Sequence, residues 1–233
     1  MILPSQYYEE SLYPLQDGVL STLNHSATTF FLTGGTALSR AYYHHRYSDD
    51  LDFFLNQSKD YDKELNKALD LLQKAGFVWD EKKDYVRAKD FTTIKVGLSE
   101  SNLILKLDFV NDSVPNFGQI QETSLFFRTD SIRNIISNKL SAIFRYAAKD
   151  IADIREIALH ETLNWQTIIG EARQKEAGLE LIYISEILKG MPRSEFESVA
   201  WTKKPDWEFF QQDIDRIVYE MISGGSSKDK SEK

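Results

Sequence analysis

The stretch Phe31-Leu-Thr-Gly-Gly-Thr-Ala-Leu-Ser39, followed by Arg46-Tyr-Ser-Asp-Asp-Leu-Asp-Phe-Phe54, decides the fold. Its pattern predicts a short apolar strand, a double-glycine turn, a helix and a second strand that carries two acids. Because side chains alternate between the two faces of a strand, Asp50 and Asp52 are expected on one face. The other face then carries three apolar residues toward the core: Leu51, Phe53 and Leu55.

The chemistry of this stretch indicates a site for a metal-bound nucleoside triphosphate. Two neighbouring carboxylates repel each other unless a cation neutralises them, and their hard oxygen atoms suit Mg²⁺ or Mn²⁺. Gly34 and Gly35 allow the backbone to approach a ligand closely, and the helix after them offers N–H groups to a phosphate. A double glycine alone is most often only a turn, and a lone Asp-x-Asp is commonly a solvated strand end. A double glycine and an Asp-x-Asp joined by one short helix are a much more specific indication of a nucleotide site than either motif alone.

These residues resemble the AbiEii/AbiGii toxin family of nucleotidyltransferase-fold proteins, which includes the MenT-type toxins. The family pattern is Gly-Gly-x-x-Leu followed by Arg-x-Ser-x-Asp-[Leu/Ile]-Asp. It is matched here by Gly34, Gly35, Leu38, Arg46, Ser48, Asp50, Leu51 and Asp52.

The resemblance implies an α+β architecture in three parts. A minimal nucleotidyltransferase fold, with a mixed sheet flanked by helices, is expected over residues 1–128 as the catalytic domain. An α-helical domain over 129–223 would complete the cleft that holds the nucleotide. Residues 224–233, which are rich in serine, glycine and lysine, are expected to form a flexible tail.

A third acid lies on the clearest strand of the sequence, over residues 102–110. Asp108 shares one face of it with Ile104, Lys106 and Val110, while leucines and a phenylalanine occupy the other face. A single acid on such a strand is usually an edge or strand-end residue. The family, however, places a third carboxylate beside the Asp-x-Asp strand. The resemblance therefore implies that Asp108 joins the metal site and positions or activates the acceptor hydroxyl.

Lys139 lies in the middle of an apolar helical stripe, where a charge is costly without a partner. The stripe consists of Ile132, Ile135, Ile136, Leu140, Ile143 and Phe144. A triphosphate or an acid would be a suitable partner, and Asp150 returns to nearly the same face if the helix continues. Two interpretations stay open: a salt bridge that only stabilises the fold, and a direct catalytic role in which Asp150 orients Lys139 on a phosphate.

Composition narrows the class of protein. Apolar residues at 42% and charged residues at 27% are ordinary for a globular chain, and the absence of cysteine excludes disulfides and thiolate sites. The sequence shows no signal peptide and no run of apolar residues that would span a membrane, so a cytoplasmic location is expected. The net charge of −8 argues against broad nucleic-acid binding but leaves room for RNA at a local basic patch. The basic clusters are interpreted first as solvated surface charges: Lys82, Lys83, Arg87 and Lys89, and Arg193, Lys203 and Lys204.

The combined pattern predicts an enzyme that transfers a nucleoside monophosphate from a nucleoside triphosphate to a hydroxyl. Asp50, Asp52 and Asp108 would hold the metal ion, and Lys139 would neutralise the leaving pyrophosphate. The residues expected to contact the nucleotide are Gly34, Gly35, Thr36, Arg46 and Ser48. The resemblance implies a tRNA or another RNA as acceptor, and a toxin with a cognate antitoxin or a phage-defence role.

Two other functions compete with this prediction. One is a nucleotide-binding regulatory or interaction module that no longer catalyses transfer, since a fold persists more readily than an activity. The three acids favour the enzyme. The other is a metal-dependent phosphohydrolase, which usually needs a histidine-rich site. The chain has only four histidines, and none of them has a convincing metal-ligand spacing.

Overall fold

The computed structural model describes residues 4–24, 28–99 and 101–224. The tail predicted for 224–233 lies outside the described residues from position 225 onward. The chain divides into two compact units. The first comprises Met1–Val114 and Gln119–Asp130, and the second comprises Pro115–Gly118 and Ser131–Lys233.

The first unit is built on a mixed sheet. Within the described residues, six strands pair in the order β1-β2-β6-β5-β3, with β4 also paired to β5. The pairing of β2 with β6 is parallel, and the others are antiparallel. The strands are β1 (Phe31–Thr33), β2 (Leu51–Asn56), β3 (Phe77–Val78), β4 (Tyr85–Arg87), β5 (Phe91–Leu98) and β6 (Leu105–Asp112). The alternating sequence of residues 84–100 predicts a hairpin or a pair of strands, and the antiparallel pairing of β4 with β5 confirms it.

One face of the central strands forms the core of the first unit. The apolar side chains that alternate along β2 and β6 are buried, and the ring of Phe53 stacks on that of Phe109 with centroids 5.3 Å apart. The apolar residues Leu125–Phe127 predict a short strand, which does not form. Phe126 is instead buried, its ring packs edge-on against Phe53, and an isolated bridge between Leu32 and Thr129 joins the residues after it to the sheet. The polar side chains of the central strands are left for the opposite face.

Helices complete the first unit. They are α1 (Pro4–Tyr7), a π-helical stretch (Tyr8–Leu12), α2 (Tyr13–Asn24), α3 (Gly34–Thr36), a second π-helical stretch (Ala37–Tyr43) and α4 (Tyr61–Lys74). Pro14 predicts a break in the helix near the N-terminus, but α2 runs through this residue. Because proline has no N–H for the helical hydrogen-bond ladder, the preceding turn widens instead, and Tyr13 N–H bonds to the Tyr8 carbonyl.

The second unit is helical, as the sequence predicted. Its helices are α5 (Ile132–Ser141), a 3₁₀ turn (Ile143–Arg145), α6 (Ala148–His160), α7 (Trp165–Lys175), α8 (Leu181–Lys189), α9 (Arg193–Ser198) and α10 (Trp207–Ser223). Phe196 and Phe210 pack with ring centroids 5.0 Å apart in an aromatic core. Phe209, which precedes Phe210 on α10, is 66% exposed and lies outside this core. No helix in the described part of the chain is both long and apolar enough to cross a bilayer.

Candidate active site

Four side chains form a polar row across the face of the sheet opposite the core. Thr33 pairs with Asp52, Asp52 pairs with Asp108, and Asp108 pairs with Thr93, on β1, β2, β6 and β5 respectively. Directly paired residues project from the same face of a sheet, with Cβ atoms about 5 Å apart. Strand pairing therefore brings two of the three predicted acids side by side.

Lys106 supplies a positive charge within this acidic face. Its Nζ donates to Oδ2 of Asp108 at 2.6 Å. Burial opposes the charge on Lys106, but the hydrogen bond and the charge of Asp108 prevail and raise the lysine pKa above its ordinary value. The negative charges of Asp50 and Asp52 raise this pKa as well. All three predicted acids therefore act on one ammonium group.

Asp50 is held at the entrance to β2 by its backbone. The Thr36 hydroxyl donates a short hydrogen bond to the Asp50 carbonyl. Thr36 is fully buried and lies inside the helical segment. The cap position of this helix is occupied by Thr33. Since the hydroxyl of Thr36 is already engaged, a phosphate contact from this residue is left to its backbone N–H.

Gly34 lies directly against the Asp52 carboxylate. Its φ of +71° falls in the left-handed region that favours glycine, and a Cβ at this position would overlap Oδ2 of Asp52. The first glycine of the predicted turn therefore serves two purposes. It reverses the chain after β1, and it leaves space for the carboxylate.

Replacing Gly34 with alanine is expected to displace Asp52 and to reduce activity far more than stability. Gly76→Ala is a matched control, because Gly76 also has a positive φ (+90°) but nothing lies within 4 Å of its missing Cβ. Both variants should lose about 1–2 kcal/mol of unfolding free energy from left-handed strain. Only Gly34→Ala should lose nucleotide transfer, measured alongside thermal unfolding. Equal activity in the two variants would show that the glycine does not shape the site.

Arg46 and Ser48 lie behind the second glycine. A Cβ on Gly35 would overlap the Arg46 guanidinium and approach the Ser48 hydroxyl to 3.1 Å. Both side chains are buried, and Nη1 of Arg46 donates to the Tyr47 carbonyl at 2.9 Å. Gln16 Nε2 donates to the Ser48 carbonyl at 2.9 Å. These contacts support a structural role for both residues in holding the loop between the glycines and β2.

Lys139 is buried between two carboxylates of α6. Its Nζ lies 2.6 Å from Oδ1 of Asp150 and 2.7 Å from Oδ2 of Asp153. Asp150 also accepts from Arg145 at 2.8 Å. The helix does not continue from Lys139 to Asp150, because α5 ends at Ser141 and Tyr146 adopts a left-handed φ of 54° before α6 begins. The contacts support the interpretation of Lys139 as part of a stabilising ion cluster.

The carboxylate oxygen atoms of the polar row are the candidate ligands for a divalent ion. Oδ1 of Asp108 is buried and has no hydrogen-bond partner in the described part of the protein. Across residues 4–24, 28–99 and 101–224, no three His, Cys, Asp or Glu side chains are arranged to hold a metal ion. Mg²⁺, however, usually takes one or two carboxylates and completes its shell with water and substrate phosphate. The paired carboxylates of Asp52 and Asp108 fit that requirement, and the metal role of Asp50, Asp52 and Asp108 stays a prediction.

Two charged partners in these clusters were not assigned roles from the sequence. Strand alternation puts Lys106 on the same face as Asp108, and this shared face is the sequence signal for the ion pair between them. Asp153 lies three residues after Asp150, a spacing that puts both acids on one helical face. That spacing was the signal for a second partner of Lys139.

Basic residues of the two clusters interpreted as surface charges form ion pairs with acids at the surface. Arg87 pairs with Asp62, and Arg193 and Lys204 both pair with Glu197. These pairs support the interpretation of the basic clusters as ordinary surface charges.

A family model described as the nucleotidyl transferase AbiEii toxin of type IV toxin–antitoxin systems matches residues 19–218. The chain belongs to the AbiEii family. The match covers most of both units of this AbiEii chain and confirms the resemblance drawn from the glycine turn and the acids. The AbiEii chain is accordingly a nucleotidyltransferase, as predicted.

Two solved structures from Helicobacter pylori share the fold of the AbiEii chain. One is JHP933, which is 18% identical, with a TM-score of 0.65 and coverage of 96% of this chain and 94% of that one. The other, proposed to be a nucleotidyltransferase, is also 18% identical with a TM-score of 0.65, and the coverage is 95% and 96%. At this identity the likeness establishes the fold alone, and the predicted mixed sheet flanked by helices is confirmed. The comparison with curated proteins gives no match.

Proposed function

We propose that this enzyme transfers a nucleoside monophosphate from a nucleoside triphosphate to a hydroxyl of an RNA acceptor, with a tRNA as the first candidate. The reaction would require Mg²⁺ or Mn²⁺ and take place in the cytoplasm, where these substrates meet. The observation that carries the proposal is the direct strand pairing of Asp52 with Asp108 beside Gly34. It puts two paired carboxylates on one polar face, next to the glycine turn that would offer backbone N–H groups to a metal-bound triphosphate.

The transfer step balances with the groups at hand. The acceptor oxygen forms a bond to the α-phosphorus, and the bond from that phosphorus to the α,β-bridging oxygen breaks. Pyrophosphate leaves with the electron pair. The carboxylate of Asp108 accepts the hydroxyl proton. A bound divalent ion would supply charge neutralisation to the triphosphate during this step.

Each remaining residue of the site orients one of the reacting groups. Gly34 and Gly35 would offer backbone N–H groups to the phosphates, and the Arg46 guanidinium lies directly against Gly35. Thr36 fixes the backbone of Asp50 through its hydroxyl. Asp52 would bind the divalent ion together with Asp108 and Asp50. In this arrangement the protein contributes positioning and electrostatics, which dominate catalysis of phosphoryl transfer.

A toxin role follows from the family, whose members belong to type IV toxin–antitoxin systems. We propose that this chain acts as the toxin and that a cognate antitoxin opposes it. Expression of the chain alone should slow growth of its host, and Asp52→Asn should abolish this effect. Unimpaired growth at a verified level of active enzyme would argue against a toxin.

The assay that tests the transfer proposal uses triphosphates labelled on the α- or the γ-phosphate, with Mg²⁺ and total RNA. We expect the α-label to appear on RNA and the γ-label in pyrophosphate. Free labelled phosphate would instead identify a phosphohydrolase. Triphosphate binding without a labelled product, over RNA and protein acceptors, would identify the silent nucleotide-binding module.

Lys106 gives the metal proposal a test that does not depend on activity. Its ammonium lies 2.6 Å from a proposed metal ligand and neutralises the acids in place of a divalent ion. Lys106→Met removes this competing charge, so affinity for Mn²⁺ should increase on the order of tenfold. Calorimetry or the paramagnetic resonance of free Mn²⁺ would measure it, with Lys82→Met as a surface control. Weaker Mn²⁺ binding in Lys106→Met would contradict this arrangement.

A further inference from the structure

Two lysines form a like-charged pair next to the polar row. Lys95 on β5 is the direct strand partner of Lys106 on β6. This pairing lies two residues along the strands from the pairing of Thr93 with Asp108. Like charges placed opposite each other destabilise a sheet. Asp108 compensates Lys106, whereas the exposed Lys95 has no such ion pair within the described residues. An anionic ligand would relieve the repulsion.

A hollow of about 300 Å³ lies beside this pair. Its lining combines two ammonium groups, two carboxylates and exposed apolar surface: Tyr7, Leu12, Asp49, Asp50, Lys95, Ile104 and Lys106. Tyr7 is 39% exposed and Ile104 is 55% exposed. An ammonium group next to an aromatic ring and an aliphatic side chain suits a phosphate and a base, because bases stack on aromatic rings in a sequence-tolerant way.

The order of the strands puts this hollow on one side of the carboxylates. The glycine turn follows β1, Asp52 and Asp108 lie on β2 and β6, and Lys95 lies on β5. With strands about 4.8 Å apart, three strand spacings separate β5 from β1 by about 14 Å. In-line displacement requires the attacking group and the leaving group on opposite sides of the α-phosphorus. If the triphosphate lies at the glycines, the acceptor approaches from the side of Lys95.

We propose that this hollow is the acceptor subsite, in which Lys95 binds the phosphodiester next to the reacting hydroxyl and Tyr7 with Ile104 holds the adjoining base. The inference rests on the proposed function and deepens it, because a subsite for a phosphodiester selects a nucleic-acid end over a hydroxyl of a protein side chain. Lys95 is a binding residue in this assignment and takes no part in the chemistry.

The test compares Lys95→Met with Lys82→Met, which removes an equivalent charge from a surface turn, and with Lys95→Arg. The substrate is deacylated bulk tRNA with an α-labelled triphosphate and Mg²⁺. Lys95→Met should raise the KM for tRNA about fivefold to tenfold and reduce the salt dependence of RNA binding by about 0.7 in logarithmic slope, since one phosphate contact is lost. The KM for the triphosphate and the rate at saturating tRNA should stay within about twofold, and Lys95→Arg should behave as wild type.

The possible outcomes distinguish a failure of the acceptor subsite from a failure of the proposed transferase function. If the wild type labels tRNA while Lys95→Met and Lys82→Met behave alike, the subsite is overturned and the transferase proposal stands. If the label goes to protein and tRNA neither accepts it nor competes, the nucleic-acid acceptor is overturned. If the wild type transfers no label to any acceptor, the proposed function itself fails and the subsite with it.

Discussion

Asp52→Asn is expected to lower the rate of nucleotide transfer on the order of a thousandfold while the protein stays folded. Asp52 is the direct strand partner of Asp108. Its carboxylate occupies the space that a side chain on Gly34 would need. The substitution keeps the shape of the side chain but removes the charge that would hold a divalent ion. Stability should not fall, because two facing carboxylates repel each other in the absence of the ion.

Single-turnover transfer from an α-labelled triphosphate, together with thermal unfolding, would measure both parts of this expectation. Asp70→Asn is the matched control, because Asp70 is an exposed acid on α4, away from the polar row. Transfer in Asp52→Asn within tenfold of wild type would show that this carboxylate is not a metal ligand. A comparable loss in Asp70→Asn would point instead to a general effect of charge.

The polar row shows how much of the site strand periodicity can predict. Alternation along each strand puts Asp50 with Asp52, and Asp108 with Lys106, because only one face of each strand is apolar enough to be buried. The register between β2 and β6 is a different matter. Asp52 and Asp108 are 56 residues apart in sequence, and their direct pairing depends on how the whole sheet assembles. The family resemblance predicts that Asp108 lies on a strand beside Asp50 and Asp52. The structure alone shows that Asp108 pairs directly with Asp52.

The helical unit shows where local patterns fail. The stripe around Lys139 correctly indicated a buried charge that needs a partner. The helix does not continue to Asp150, however, because the chain turns at Tyr146 with a left-handed backbone. Tyrosine has no preference for the left-handed conformation, so the sequence at Tyr146 gives no signal that the helix ends there. The packing of α6 against α5 after this turn brings Asp150 and Asp153 to one ammonium.

Lys139→Met is expected to cost about 3–5 kcal/mol of unfolding free energy, because it leaves two buried carboxylates without their cation. Asp150 and Asp153 are both almost completely buried, and Arg145, which also contacts Asp150, has a side chain that is 64% exposed. In a chain of this size the loss corresponds to a fall in melting temperature of about 10 °C. Lys189→Met is the control, because its ion pair with Asp215 is exposed on both sides and should contribute less than about 1 kcal/mol.

The variant that combines Lys139→Met with Asp150→Asn and Asp153→Asn separates the two roles left open for this lysine. It removes the cation and both carboxylates, so most of the stability should return, since no uncompensated charge stays buried. Urea unfolding measures the stability, and transfer per folded molecule measures the chemistry. If transfer returns together with stability, Lys139 supports the fold. If stability returns while transfer stays absent, the ammonium acts on a phosphate. A triple variant as unstable as Lys139→Met would show that the cluster stabilises the unit by specific hydrogen bonds rather than by charge balance.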